Sequence, residues 1–341
     1  MLLSRTSKTF LISMFTMLVA ISVAAKEYRF VMVSHIGAQD PNMNWLTLSL
    51  AEFEKRYPNV FTEYVGGLTS GVEELAQNLE ETIASRPDGI AVPILDAKAL
   101  DAPIRKALSM GIPVVAFNIP DKRPPDQRIP YLTYVGGDEY LTGYKIGLYA
   151  LAKAKDGMVP MPRKVVCTLH TAGHAGLRER CRGIEDAFGK VGAPVEYLVT
   201  DIEETNFRQK LKAYLSSNLD TNYIFNLADF TAAWSWEVAD ELGMEPDADT
   251  KGLTVLTVDV GPIGLSGVKN GHLLVASEQG FWLQGYIPME WLYWYHEMGY
   301  KPQSDIITGP VLVDKDNLEQ MDKLSKLVFG VGSESDAAWR K

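Results

Sequence analysis

The feature that most constrains this 341-residue chain is a strict alternation of short apolar runs with amphipathic stretches. Runs at 28–33, 60–65, 90–95 and 114–117 are separated by segments with apolar residues three or four apart, such as Leu75, Leu79 and Ile83. Runs this short and this apolar suit strands buried on both faces of a parallel sheet. The alternation therefore predicts βαβ units in an α/β fold. The stretch MGIPVVAFNIPD at 110–121 shows the pattern most clearly: Gly111 ends a helix, Pro113 prevents another from starting, and Asn118 arrives at the strand's carboxyl end. Ligands of open α/β sheets gather at that edge.

The segment 122–130, with three prolines and four charged residues, interrupts the pattern as a surface loop. Alternation then resumes, with strands expected at 133–135, 164–169, 195–199, 223–226 and 254–258, and helices at 143–154, 178–191, 206–215 and 232–242. A later segment at 273–277 leads into an aromatic helix at 282–298 and a short tail. The same doubly wound architecture occurs twice, which fits a length too great for one ordinary core.

Residues 1–25 differ from the rest. Arg5 and Lys8 precede an apolar run at 10–23, and Val23 and Ala25 stand three and one residues before Lys26. This is the pattern of a secretory signal peptide, with a run short for a spanning helix. It predicts export to the periplasm, and no cysteine stands there to take a lipid anchor. The formal charge of −10, more negative once Arg5 and Lys8 leave, is unsuited to nucleic acid or an anionic membrane. Cys167 and Cys181 are the only cysteines. An oxidising compartment permits a disulfide between them, with two buried thiols as the alternative.

Motifs of other chemistries are missing. Neither Gly66-Gly67…Gly71 nor Gly261…Gly264…Gly267 has dinucleotide-binding spacing, and there is no phosphate loop, G-x-S-x-G elbow or H-E-x-x-H. No cofactor is expected. His170 and His174 are four apart, but Gly173 places them on a loop, so no metal site is expected either.

What remains is polar side chains at the strand ends. Asn118 and Gln279 offer donors and acceptors to hydroxyls, and His35 offers a donor. Asn44 and Trp45 stand where the first loop meets its helix, and the indole can stack on the C–H face of a sugar ring. Arg178, with Arg180 as the alternative, presents a planar fork for adjacent hydroxyls. Asp229 and Asp259 follow strands and accept from paired hydroxyls, or else cap the next helix.

The segments SHIGAQDPNMNW, DGIAVPILDAKAL, GIPVVAFN, YVGGDEYLTGYKIG, GLRERCRGIEDAF, LTVDVGP, ASEQGFWLQGY and TGPVLVDKDN resemble, in order, the sugar-binding proteins of bacterial ABC transporters, of the ribose- and galactose-binding type. The resemblance spans almost the whole exported chain. It implies two Rossmann-like doubly wound lobes joined by a three-crossover hinge, here 26–134 plus 281–307 and 135–280 plus 308–341. A sugar or polyol would be enclosed between them. By matching position it places Asn44 and Trp45 on the stacking loop, Asn118 at a first-lobe strand end, and Arg178 at the start of the RERxxG helix. Asp229, Asp259 and Gln279 fall on the second-lobe loops and beside the hinge. Asn44 stands where an aromatic is common and Ala228 where an amide is frequent, which admits a ring other than ribose or an open polyol. Relatives often carry a cysteine pair like this one. The implied protein is a monomeric, non-enzymatic receptor with a membrane permease as partner. A receptor for a sugar-like chemotaxis or quorum signal is the alternative, since the same cleft would serve it. A carbohydrate-active enzyme would need two carboxylates at catalytic separation. A sugar-responsive repressor would need a helix-turn-helix where this chain has an export signal.

Overall fold

The computed structural model describes residues 26–37, 40, 42–68, 71–244 and 252–329; the expected leader at 1–25 and the last part of the tail lie outside the described residues. The first half runs β1 (Tyr28–Ser34), α1 (Met43–Arg56), β2 (Val60–Gly66), α2 (Val72–Ala84), β3 (Gly89–Val92), α3 (Ala97–Ser109), β4 (Val114–Phe117) and β5 (Tyr134–Gly137). The second runs α4 (Glu139–Lys155), β6 (Val165–Leu169), α5 (Ala175–Gly189), β7 (Val195–Val199), α6 (Glu204–Ser217), β8 (Tyr223–Asn226), α7 (Asp229–Glu241), β9 (Thr254–Thr257), α8 (Pro262–Asn270) and β10 (Ala276–Glu278). The chain ends with α9 (Phe281–Met298), β11 (Ile306–Gly309), β12 (Val311–Val313) and α10 (Leu318–Phe329).

Strands β11-β5-β4-β3-β1-β2 form one parallel sheet and β7-β6-β8-β9 a second, while β10 and β12 pair antiparallel beside β9. This is the two-lobed doubly wound fold expected from the alternation. Its cores follow the period-two geometry of the strands. Val31 and Val33 of β1 point to a layer with Leu79, Ile83 and Ile104 from α2 and α3. Phe30 and Met32 point the other way, to Leu46 and Phe53 of α1 and Met289 and Leu292 of α9. The second lobe repeats this arrangement: Cys167 and Phe225 pack toward α4 and α5, and Val166 and Ile224 toward α6 and α7.

The chain passes between lobes three times, after β5, after β10 and after β11. The passages lie side by side: the Thr308 hydroxyl donates to the Gln279 carbonyl at 2.6 Å, and the Asp138 N–H donates to the Gly309 carbonyl at 3.4 Å. Gly280 holds φ +78° there, and a Cβ on it would meet Thr308. β5 extends to Gly137 and β11 to Gly309, so two crossings fall a few residues beyond the boundaries at 134 and 307 expected from sequence.

Two segments differ from expectation. Residues 262–270 form a helix opened by Pro262 at its first turn and closed by Gly271 in the left-handed region, an element not among those expected from sequence, which assigns no helix between 242 and 282. The tail holds two strands and a helix. β11 and β12 are short strands of mixed exposure, without a buried apolar run to announce them. Cys167 and Cys181 are joined, tying β6 to the buried face of α5.

Candidate functional site

The carboxyl ends of the two sheets face each other, and the cavity between them is lined from both lobes. The first lobe contributes His35, Asp40, Asn118 and Phe281; the second contributes His170, His174, Arg180, Phe230, Asp259 and Gln279. Asn118 and Asp259 each follow a strand with positive φ, +59° and +78°, a conformation that asparagine and aspartate tolerate better than most residues. Two non-glycine residues held this way at the same cleft indicate that the backbone is bent to aim these side chains.

A chain of buried side chains crosses the cleft. The Arg180 Nε donates to Glu139, its Nη1 to the Leu227 carbonyl at 2.8 Å, and its Nη2 to the Gln279 Oε1 at 2.7 Å. The Gln279 amide donates to Asp259 Oδ1, and Asp259 Oδ2 accepts from the amide of Asn42, in the other lobe, at 3.3 Å. On the first-lobe side the Asn118 amide donates to Gln284 Oε1 at 3.0 Å, and Gln284 donates to the Gln279 carbonyl at 2.8 Å. The hinge passage through Gln279 is therefore bonded to both walls. Burial drives His35 and His170 down to about 3, with the Arg180 charge pushing the same way, so their imidazoles are neutral. Burial lifts Asp40 to about 6, and lifts Asp259 well above the usual carboxylate range against the pull of Arg180. Among the described residues, the buried Nδ1 atoms of His35 and His170 have no hydrogen-bond partner.

The expected residues divide into two groups. His35, Asn118, Asp259 and Gln279 are brought together in the cavity wall. Asn44, Trp45, Arg178 and Asp229 are not, and each has a local reason. α1 begins at Met43, so Asn44 lies exposed on its first turn. Trp45 falls on the helix's buried stripe with Leu46, Ser49, Leu50 and Phe53 and is only 1% exposed, a core residue rather than a stacking platform. One turn earlier, Asp40 and Asn42 face the cleft in their place. Arg178 is exposed, whereas Arg180 is buried in the wall. Asp229 is fully buried behind the wall, where its Oδ2 accepts from the Gly264 N–H in the first turn of α8 at 3.2 Å; burial lifts it to about 7. It does not cap the next helix, the other role expected from sequence: Asp229 is itself the first residue of α7, whose N-cap Ala228 makes no side-chain cap, and its carboxylate reaches across to α8.

Which arginine faces the cleft is encoded in the helix period. Leu177, Cys181, Ile184 and Phe188 form the buried stripe of α5, and Arg180 lies on it while Arg178 does not. Gly183 sets this face against α4, since a Cβ there would collide with the Tyr140 carbonyl. His170 and His174 were weighed in the sequence only as metal ligands. The loop between β6 and α5 instead turns them into the cleft, and among the described residues no cluster of three ligating groups suits a metal.

Two doubly wound lobes closing on a polar cavity at their facing strand ends define a cleft-forming, two-lobed α/β receptor architecture. The sequence pattern described as the periplasmic binding protein domain matches residues 40–297, and the chain belongs to that family. A curated relative, the xylose/arabinose-binding protein of Sulfolobus acidocaldarius, is 25% identical over 238 residues, 68% of this chain. The match spans 58% of that relative's length. Among solved structures, a carbohydrate transporter from Acidothermus cellulolyticus in complex with myo-inositol superposes with a TM-score of 0.78 at 23% identity, covering 89% of this chain and 99% of that one. An ABC transporter solute-binding protein from Burkholderia graminis in complex with D-arabinose gives 0.73 at 20% identity, covering 86% and 98%. At these identities the two structures establish the shared fold.

Proposed function

We propose that the protein is a periplasmic receptor that captures an uncharged monosaccharide or polyol between its lobes and delivers it, unaltered, to the permease of an ABC transporter. The observation that carries this reading is the cross-cleft chain Arg180–Gln279–Asp259–Asn42, buried and drawn from both lobes. Such groups accept from and donate to hydroxyls, and a ligand that satisfies both walls favours the closed state by its differential contacts. A hydroxyl that leaves one of these buried groups unpaired costs about 1–3 kcal/mol, which is how the cleft rejects a wrong epimer. Arg180 is neutralised by Glu139, so among the described residues the cavity lining offers no unpaired cation to an acidic ligand. The sugars and the polyol bound by the relatives point to the same class of ligand. No helix among the described residues is long and apolar enough to cross a membrane, in keeping with a receptor that works beside a separate permease.

The experiment is a thermal-shift screen of the exported chain against pentoses, hexoses and polyols, repeated with Asp259→Asn. A ligand that raises the melting temperature of the native protein and not of the variant supports the reading. Stabilisation by a nucleotide, or undiminished stabilisation of the variant, overturns it. Delivery is tested separately, by whether the liganded protein stimulates ATP hydrolysis in vesicles that carry the reconstituted transporter.

A further inference from the structure

Three imidazoles converge on the cavity from opposite lobes. His35 follows β1 in the first lobe, and His170 and His174 stand on the loop before α5 in the second. The rings of His35 and His174 meet edge to face across the cleft, centroids 5.3 Å apart, and His170 packs against Phe230 at 5.8 Å. His35 is 8% exposed and His174 6%, so closure strips water from both. His174 caps α5, its Nδ1 accepting the Leu177 N–H at 3.3 Å, which requires the uncharged ring.

We propose that His35 and His174, one from each lobe, couple closure of the cleft to proton release, so that the closed form gives way to the open form as the medium is acidified. The proposal concerns regulation of the cleft read above as the ligand site. Two imidazolium rings in contact, beside the fixed charge of Arg180, repel one another and lose their hydration together. With the lobes apart, each ring recovers water and takes its proton at the ordinary imidazole value. The sign follows from linkage: the closed state binds fewer protons at these two sites, so their contribution favours closure above about pH 6.5 and is lost as pH falls.

The other titratable groups facing this pair are His170, Arg180 and its partner Glu139, Asp40, Asp259, the buried Tyr134 and, behind the wall, Asp229. His170 acts in the same sense as the pair, whereas Asp40 and Asp259, the aspartates that face the cleft, act in the opposite sense, because burial there makes them take up protons. The histidine contribution is therefore the difference between the native protein and a cleft without the pair, not the whole pH profile.

The test is small-angle X-ray scattering on the ligand-free exported chain from pH 7.5 to 5.5, for the native protein, His35→Asn and His174→Asn. Asparagine preserves polarity and can cap α5 in place of His174. Each protein is referred to its own open-to-closed ratio at pH 7.5. At pH 5.5 the open-to-closed ratio of the native protein is expected to be about 10-fold above that of His35→Asn, the factor for one imidazole a unit below its ordinary value. Circular dichroism at each pH checks folding, with His35→Gln as a second variant. Coincident profiles for native and variant proteins overturn the proposal. A response larger by that factor in the native protein than in either variant supports it even if the ligand screen finds no sugar, so the two readings fail separately.

Discussion

Replacing Arg180 by methionine keeps most of the side-chain volume and removes one charge. The structure then dictates a large loss. Arg180 and Glu139 are 4% and 1% exposed, so the variant leaves a carboxylate with no cation in a site closed to water. Breaking a buried pair from one side costs about 3–5 kcal/mol. The Leu227 carbonyl and Gln279 Oε1 lose their guanidinium donors in the same step, which moves the expectation to the upper end of that range. By contrast, Arg178→Ala, two residues away on the exposed face, should change stability by no more than about 0.5 kcal/mol. Removing both charges together in Arg180→Met/Glu139→Gln should recover a substantial part of the loss, because no ion is then left buried. Urea denaturation followed by circular dichroism measures all three variants. If Arg180→Met unfolds within about 1 kcal/mol of Arg178→Ala, on the scale of an ordinary substitution, the assignment of Arg180 as the buried arginine of the wall is refuted.

Trp45→Ala should destabilise the first lobe by about 3–5 kcal/mol through the cavity it leaves, while the affinity for ligand at temperatures where the variant is folded stays within a few-fold; calorimetric titration checks the second half. Replacing Cys167 and Cys181 by alanine should cost about 3 kcal/mol, since their separation of 14 residues closes a short loop in the unfolded chain, and denaturation under non-reducing conditions reads it. Asp229 is lifted to about 7 by burial, so the folded protein binds its proton more tightly than the unfolded chain and this carboxylate lowers stability progressively as pH rises from about 4 through 7. Asp229→Asn, whose amide oxygen can still accept from Gly264, should therefore be more stable than the native protein at pH 8 and should lose that advantage by pH 5, in paired melting curves.

The fold was legible because strands buried on both faces leave apolar runs, and those at 114–117 and 223–226 coincide with the fully buried β4 and β8 residue for residue. Elements without such runs were not legible: β11 and β12 are short and partly exposed, and α8 carries glycines, which are weak helix formers. For the site, residues tied to a strand end were placed well, because the end of β4 fixes Asn118 and the end of β9 fixes Asp259. Residues at helix starts were harder to assign to a face, since a shift of two positions rotates a side chain by about 200°, roughly half a turn, around a helix. That rotation separates Arg178 from Arg180. The Asn44 and Trp45 error arose from the same uncertainty about where α1 begins. The histidine trio depends on how the loop between β6 and α5 folds, which no local periodicity encodes.

The central claim is that two lobes enclose an uncharged polyhydroxylated molecule and release it unchanged, and calorimetric titration of the exported chain with the best ligand from the sugar and polyol screen tests it most directly. The account predicts one ligand per chain, recovered chemically identical by NMR after denaturation, with affinity reduced about 10-fold in Asp259→Asn, the equivalent of one lost hydrogen bond. Binding outside that stoichiometry, conversion of the ligand, or equal affinity in the variant would contradict it.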